Sequence, residues 1–447
     1  MASPVGFVFD APRMLRLVSL GGILVLLALC WLFSVDRRAI SWRLVVTAMI
    51  GQFVLGAVFL YWDAGNAALQ SFGNGVKDFL GLAAAGSKFV FGDTLGTGAP
   101  LTVVPPEGGA AGALPSVKLG FVFATQVLPT LIFFSSFMSV LYHLGVMQFV
   151  VRYMAIVTTR LLGTSGAESL SASANVFVGQ TEAPLLVRPF LGKMTQSEIH
   201  AVMTGGFATI AGGVFALYVS FGIDAGHLMV ASVMAVPAGL VCSKVMFPEL
   251  GEPETRGKVH VPVERNAGNL VEAAANGALD GLKLALNVGA MLIAFLGLVA
   301  VADWLLDLLT GPFQRLSLLS AGQHLSLDWI LSRLFAPIAW VMGVQSGEVM
   351  PLAQLLGKKI VLTELVAYAD LGQMKATLSP RTVMIASFAL CGFANLGSVA
   401  IQIGGLGAMA PERKGDIARL AFRAMFAGAI ATCMTACLAG VIHVQRG

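Results

Sequence analysis

Two glutamates, Glu182 and Glu364, lie in the apolar stretches FVGQTEAPLL (177–186) and KIVLTELVAY (359–368), each directly after a threonine, Thr181 and Thr363. A carboxylate in such surroundings is costly unless it faces a polar cavity, so an ionisable residue within a membrane segment marks a functional site by default. Other polar residues fall in equally apolar contexts: Asn175 and Gln180 beside the first glutamate, Thr209 in GGFATIAGG, and Asn395 and Ser398 in GFANLGS. Together they offer many hydrogen-bond donors and acceptors. No Arg or Lys lies among them, so phosphate or a free carboxylate is a poor ligand. A neutral polyhydroxyl or heterocyclic solute fits better, since a carboxylate accepts from hydroxyls and an amide matches the edge of a base. Paired carboxylates could also serve as acid and base in an intramembrane hydrolase. No Asp, His or metal partner accompanies them, which weakens that alternative. The six histidines are scattered, so no zinc site or catalytic triad can be assembled. The five cysteines all fall in apolar runs, where a thiol is a small packing residue.

The elements that must position these residues are membrane helices. Hydrophobic residues make up 57% of the 447 and charged residues 12%, about half the charge of a soluble domain. Runs at Leu17–Val35, Leu44–Trp62, Leu119–Val140, His227–Phe247, Leu284–Leu306, Thr382–Ile403 and Phe422–Ile442 each approach the ~20 residues a helix needs to cross the hydrocarbon core. With an interrupted span near 198–221, this predicts an all-α polytopic membrane protein of about eight crossings. The first run lacks a small-residue cleavage site and is followed by another span, so it reads as a retained helix. The net charge of +4 is dispersed along the chain, which argues against a nucleic-acid partner. Placing Arg37, Arg38 and Arg43 in the cytoplasm puts Arg152, Arg160, the basic loop 252–283 and the turn Glu412–Arg419 on the same side. Both termini then face outward. Residues 64–117 read as an amphipathic surface helix and a Gly/Pro-rich loop, and 145–163 as a second surface helix.

The strongest organisational signal is a repeat. A polar-tipped segment (174–194), a glycine-interrupted span and the clean span 227–247 are matched by a polar-tipped segment (355–374), an interrupted span and the clean span 422–442. With 252–283 cytoplasmic and one span between, the two units start from opposite sides. That is the pattern of an inverted repeat, in which interrupted segments mark a substrate site near the bilayer midplane. Re-entrant hairpins there would expose helix ends that bind ions or hydroxyls. Polar tips of this kind would obstruct a passive pore.

The strings GTSGAESLSASANVFVGQTEAPLLVRPF, HAVMTGGFATIAGGVFALYVSFG, ASVMAVPAGLVCSKVMFPE, ALNVGAMLIAF, GKKIVLTELVAYADL and CGFANLGSVAIQIGGLGAMAPERK resemble the concentrative nucleoside transporter family, bacterial sodium-coupled branch, over nearly the whole chain. The resemblance implies that Gln180, Thr181 and Glu182 face the nucleobase, Glu182 through water. It further implies that Glu364, Asn395 and Ser398 hold the ribose, with Val214 and Phe393 as apolar contacts to the base. Asn175, Val178, Thr209 and Ile210 match the sodium site, Val178 and Ile210 through backbone carbonyls, and Thr209 stands where serine is expected. A sodium-driven nucleoside symporter of the bacterial inner membrane follows, a homotrimer with elevator motion. Its expected divisions are scaffold helices (1–165), a first transport repeat (166–250), a cytoplasmic loop with helix 6 and surface helices (251–345), and a second transport repeat (346–447). Oxygen ligands favour sodium over a proton, although a proton-coupled nucleoside symporter, with Glu182 or Glu364 titrating, shares the scaffold.

Overall fold

The computed structural model describes residues 12–97, 99, 101–102, 116–117, 122–257, 267–315 and 323–442. In chain order the helices are α1 (Pro12–Leu32), α2 (Trp42–Gly56, continued by a π turn to Tyr61), α3 (Asp63–Gly81), α4 (Ala83–Thr97), α5 (Phe123–Gln126), α6 (Leu128–His143) and α7 (Val146–Leu162). The first repeat unit follows as α8 (Gly166–Ala174), α9 (Arg188–Leu191), α10 (Gln196–Ala208), α11 (Gly212–Ser220) and α12 (Ala225–Met246). Next come α13 (Leu270–Asp307), α14 (Thr310–Arg315) and α15 (Leu327–Val341). The second unit is α16 (Val349–Val361), α17 (Glu364–Met374), α18 (Pro380–Leu390), α19 (Leu396–Met409) and α20 (Lys414–Ile442). A two-residue antiparallel pairing, Leu101–Thr102 with Ser116–Val117, is the only strand ladder among the described residues.

Six helical stretches among these residues are long and apolar enough to cross a membrane: Arg13–Leu32, Trp42–Tyr61, Phe123–His143, Ala225–Met246, Leu270–Asp307 and Pro411–Ile442. The other two expected crossings are each divided, α10 from α11 at Thr209–Ala211 and α18 from α19 at Cys391–Asn395. Each half-helix starts or stops on a residue suited to it. The side chains of Ser165 and Thr195 close capping boxes with Glu168 and Glu198 at the starts of α8 and α10, and Ser379 and Asn395 cap α18 and α19. Such caps satisfy N–H groups that would otherwise be orphaned in an apolar medium.

Three local expectations are corrected. The second arm of the first polar-tipped segment is a 3-10 turn (Ala183–Val187) leading into the four-residue α9, because Pro184 and Pro189 remove N–H donors there. The loop expected over 252–283 is shorter: α13 begins at Leu270, where the Asn269 side chain accepts from the Glu272 N–H. Its first turns, LVEAAANGALDGLK, are broken by Glu272, Asn276, Asp280 and Lys283, so an apolar-run criterion misses them. The expected surface segment is two helices, α3 and α4, and beyond a non-helical break at Gly92 (φ 77) a further helical turn, Asp93–Thr97, occupies the start of the predicted loop. Most of the remaining loop, with Lys118, Leu119, Lys258, His260, Arg265 and His443, lies outside the described residues.

The helices divide into an inner and an outer set. The apolar windows of α12 and α20 are 89% and 78% buried, whereas those of α6 and α13 are 11% and 12% buried. α20 packs against α1, α10, α12, α18 and α19, and α12 packs against α2, α10 and α20, so the last helix of each repeat unit forms the centre. Buried charges fasten the ends. Lys244 at the end of α12 reaches Glu168 at 2.7 Å, Glu249 at 3.1 Å and Ser197 at 3.0 Å, joining the starts of α8 and α10. Arg381 donates to the carbonyls of Gly343 and Gly440 and to Ser19 Oγ, joining α18 to α20 and α1.

α6 and α13 pair through small residues. A Cβ at Gly281 would lie 2.7 Å from Ile132 Cα and 2.9 Å from the Leu131 carbonyl oxygen, and one at Gly277 would meet Ser135 and Ser136 backbone atoms. The two backbones touch because these positions, four apart, carry no side chain. Gly281→Leu is therefore expected to force the pair apart at a cost of about 1–3 kcal/mol or more, seen as a lowered melting temperature of the detergent-solubilised protein.

Candidate functional site

The second polar tip is the turn between α16 and α17. Thr363 caps α17, and Glu364 is the first residue of that helix, where the partial positive charge of the N-terminus favours a carboxylate. Glu364 is 5% exposed. Its Oε1 accepts from the Tyr218 hydroxyl of α11 at 3.0 Å, and its Oε2 from Asn395 Nδ2 at 2.8 Å. Asn395 caps α19, its Oδ1 accepting from the Ser398 N–H at 2.8 Å. Ser398 Oγ accepts from Gln180 Nε2 on the first tip at 3.0 Å, and Gln402 Nε2 donates to Gln180 Oε1 and to the Met203 carbonyl, each at 3.1 Å. A continuous polar chain, Tyr218–Glu364–Asn395–Ser398–Gln180–Gln402, thus connects both tips with both interrupted spans. Charge-assisted bonds of this kind are what make a buried carboxylate tolerable.

Glycines allow the close approach. A Cβ at Gly206 would stand 2.8 Å from Gln402 Nε2 and 2.9 Å from Gln180 Cβ. Gly392, at φ 154, brings the second break onto the first, where a Cβ would lie 2.6 Å from the Phe207 carbonyl oxygen. The Phe393 N–H donates to the Thr209 carbonyl at 3.3 Å across the same junction.

The first tip is tied to the first break by the Gly212 N–H, which donates to the Phe177 carbonyl at 3.0 Å. Asn175 ends α8 and is fully buried. Its Nδ2 donates to the Ser171 carbonyl at 3.0 Å, while its Oδ1 is buried with no hydrogen-bond partner among the described residues. Thr209 ends α10, its hydroxyl donating to the Gly205 carbonyl at 2.8 Å, and Gly205 approaches Asn175 Nδ2. Ile210 is buried and Val178 half-buried beside them. The Asn175 amide oxygen is thus a buried acceptor left without a donor among the described residues, at the end of α8. No cluster of three His, Cys, Asp or Glu capable of holding a metal occurs among the described residues.

The two glutamates are not in matching surroundings, contrary to the sequence-based expectation. Glu364 is enclosed, whereas Glu182 is exposed and its carboxylate makes no hydrogen bond among the described residues. Glu182 lines a cavity of about 510 Å³ between the first tip and helices α6 and α13, with Tyr142, Asn276 and Asp280 opposite and Gly212 at its base. Thr181 packs its methyl near Gly405 of α19. Val214 is buried on α11, and Phe393 is half-buried at the second break. Glu364, Asn395 and Ser398 do not line that cavity. Tyr218, Gln402 and Lys359 were not singled out from sequence. Gln402 carried a signal, as an amide inside an apolar helix. Tyr218 reads as one more aromatic in an apolar run, and stacks on Tyr368 with centroids 4.3 Å apart.

Comparison with known proteins places this geometry. Family profiles described as "Na+ dependent nucleoside transporter N-terminus", "Nucleoside recognition" and "Na+ dependent nucleoside transporter C-terminus" match residues 21–94, 124–225 and 227–440. An uncharacterized transporter of Haemophilus influenzae is 42% identical, over 95% of this chain and 97% of its own. The chain belongs to the sodium-dependent nucleoside transporter family. Members of this family are transporters rather than enzymes, so the hydrolase alternative falls away. Mouse sodium/nucleoside cotransporter 1 is 41% identical over 98% of this chain, which spans only 65% of the mouse protein's length. Among solved structures of this family, a doubly substituted CNTnw in an outward-facing state superposes with a TM-score of 0.86 at 40% identity, covering 96% of this chain and 99% of that one. CNTnw in an inward-facing substrate-bound state gives 0.83 at 39% identity, covering 96% and 98%.

Tyr218 touches the buried glutamate of this transporter-family fold without being enclosed in the glycine-rich breaks. Tyr218→Phe removes one donor to Glu364 and keeps the stack on Tyr368. It is expected to cost about 1–3 kcal/mol, seen as a lowered melting temperature of the detergent-solubilised protein.

Proposed function

We propose that this protein is a secondary active transporter that imports nucleosides by symport with sodium. The observation that carries the reading is the polar chain joining Glu364, Asn395, Ser398 and Gln180 at the meeting point of two interrupted helices, in a chain of the sodium-dependent nucleoside transporter family. Glu364 uses two of its roughly four acceptor positions on Tyr218 and Asn395. The remaining positions suit ribose hydroxyls, with Asn395 and Ser398 beside them. Gln180, Thr181 and Glu182 would address the nucleobase, and Val214 and Phe393 its apolar faces.

Sodium would join Asn175 Oδ1 and Thr209 Oγ1 with the carbonyls of Val178 and Ile210. The partnerless Asn175 oxygen supports this assignment. Such an ion would fix the first tip against the first break and so set Gln180 for the nucleoside, a positive linkage between two ligands. The two polar-tipped segments are then re-entrant hairpins of an inverted repeat, 166–250 and 346–447, which move as a transport body against a scaffold formed by 1–165 and the sixth span. Solved outward-facing and inward-facing states of CNTnw support alternating access of this kind. A homotrimer in a bacterial inner membrane, with both termini outside, completes the proposal.

Uptake of radiolabelled uridine into proteoliposomes tests it, with an inward sodium gradient set against an equal potassium gradient at constant pH. Accumulation is expected only with sodium. Glu364→Gln and Asn175→Ala are each expected to lower kcat/KM by about 10- to 100-fold, Asn175→Ala with a raised sodium requirement. Uptake indifferent to sodium but following a proton gradient would replace the ion, and no uptake would remove the substrate class.

A further inference from the structure

A buried cation in the second repeat unit has no role in the site described above. Lys359, in the last turn of α16, is 1% exposed. Its ammonium donates to the Ala389 carbonyl and to Thr432 Oγ1, both at 2.8 Å, and no carboxylate lies within ion-pairing distance of it among the described residues. Ala389 belongs to the final turn of α18, immediately before the second break. Carbonyls at a helix C-terminus carry partial negative charge and attract cations. Glu364 lies five residues further along the chain, across the tip. A lone buried ammonium is costly, so its retention at this spot calls for a function.

The repeat supplies one. The spacing from Glu182 to Glu364 equals the spacing from Thr209 to Cys391, and Thr209 and Cys391 each end the first half of an interrupted span. On that register the second-unit counterpart of Asn175 is Gly357, which has no side chain, while the string Gly-Phe-Ala shared by both breaks sets Thr209 opposite Asn395, whose amide is already engaged with Glu364 and the Ser398 N–H. Neither side-chain oxygen proposed to hold sodium in the first unit thus has an unengaged counterpart in the second. In their place a positive charge enters from the corresponding arm and meets the carbonyl end of the corresponding half-helix.

We propose that Lys359 is a tethered cation. Its ammonium does in the second repeat what sodium is proposed to do in the first, clamping the tip to the break, so that the second tip needs no ion of its own. The inference rests on the sodium-coupled reading above and extends it to a residue outside both ligand sites.

Sodium activation of uridine uptake in proteoliposomes, with potassium as replacement at constant pH, tests the idea on two variants that differ in the space they leave. Lys359→Met keeps the stem and removes the charge, and is expected to lower kcat/KM by about 100-fold at every sodium concentration. Lys359→Ala opens room for a free ion. It is expected to regain uptake at high sodium, with the half-saturating concentration raised about 10-fold and the Hill coefficient rising from about 1 towards 2. A packing role predicts the reverse order, Met better than Ala, with unchanged steepness, and that result overturns the proposal. So does loss of uptake in both folded variants at all sodium concentrations. If neither variant folds, Thr432→Val decides: it keeps the charge and removes one acceptor, and is expected to weaken uridine binding about 10-fold without changing sodium binding measured in the absence of nucleoside. Unchanged uridine binding there overturns the proposal. Wild-type protein lacking sodium-dependent uptake would instead overturn the transport reading itself.

Discussion

Interrupting a helix inside an apolar fold frees main-chain groups that no water in the hydrocarbon can satisfy. This constraint governs the whole arrangement. Each break must therefore be covered by something polar and rigid, and here it is covered by a tip. Phe177 of the first tip accepts from Gly212 at the first break, Glu364 of the second tip accepts from Asn395 at the second, and Phe393 bonds Thr209 where the breaks meet. Two defects that would each be intolerable alone satisfy one another. The same contacts bring together the side chains that can hold a hydroxylated solute, so the binding apparatus is a by-product of repairing the backbone.

The surrounding helices serve that junction. α12 and α20 supply a nearly closed apolar wall, and the buried charges Lys244 and Arg381 fix the ends of the half-helices with hydrogen bonds to several elements at once. A polar network of this sort specifies one arrangement more sharply than apolar packing does, because each misplaced partner leaves a desolvated group unpaired. α6 and α13 are different. They touch each other through glycine and serine and present most of their surface outward, and a cavity of about 510 Å³ lies between them and Glu182. Relative movement at that boundary disturbs few of the bonds that define the polar junction.

How much of this was legible in the sequence depended on the kind of signal. Polar residues in apolar runs, such as Glu364, Asn395 and Gln180, announced themselves because a hydrophobic segment has no other reason to contain them. Element order was legible for the same reason, through glycine interruptions between long apolar runs. The start of α13 was not, because Glu272, Asn276, Asp280 and Lys283 interrupt its apolar run. Nor was the difference between Glu182 and Glu364. Both follow a threonine in similar strings, and only the turn after each decides the outcome. Thr363 starts a regular helix that packs Glu364 inward, whereas the prolines after Glu182 produce a short 3-10 turn that leaves it facing a cavity. Tyr218 and Lys359 were silent for opposite reasons, the tyrosine resembling core and the lysine resembling a solvated helix end.

That last pair bears on how two similar halves come to act differently. If both units descend from one pattern, the partners of each tip show where the pattern diverged. The first unit keeps an amide oxygen without a donor, and the second keeps an ammonium without a carboxylate. On the proposed reading, one half takes up a cation and the other carries its cation on the chain. A transporter that depends on an ion gradient needs only one tip to sense the ion. On the proposed reading the second tip is a fixed wall for the solute, and the Glu364 carboxylate is anchored there by Tyr218 and Asn395.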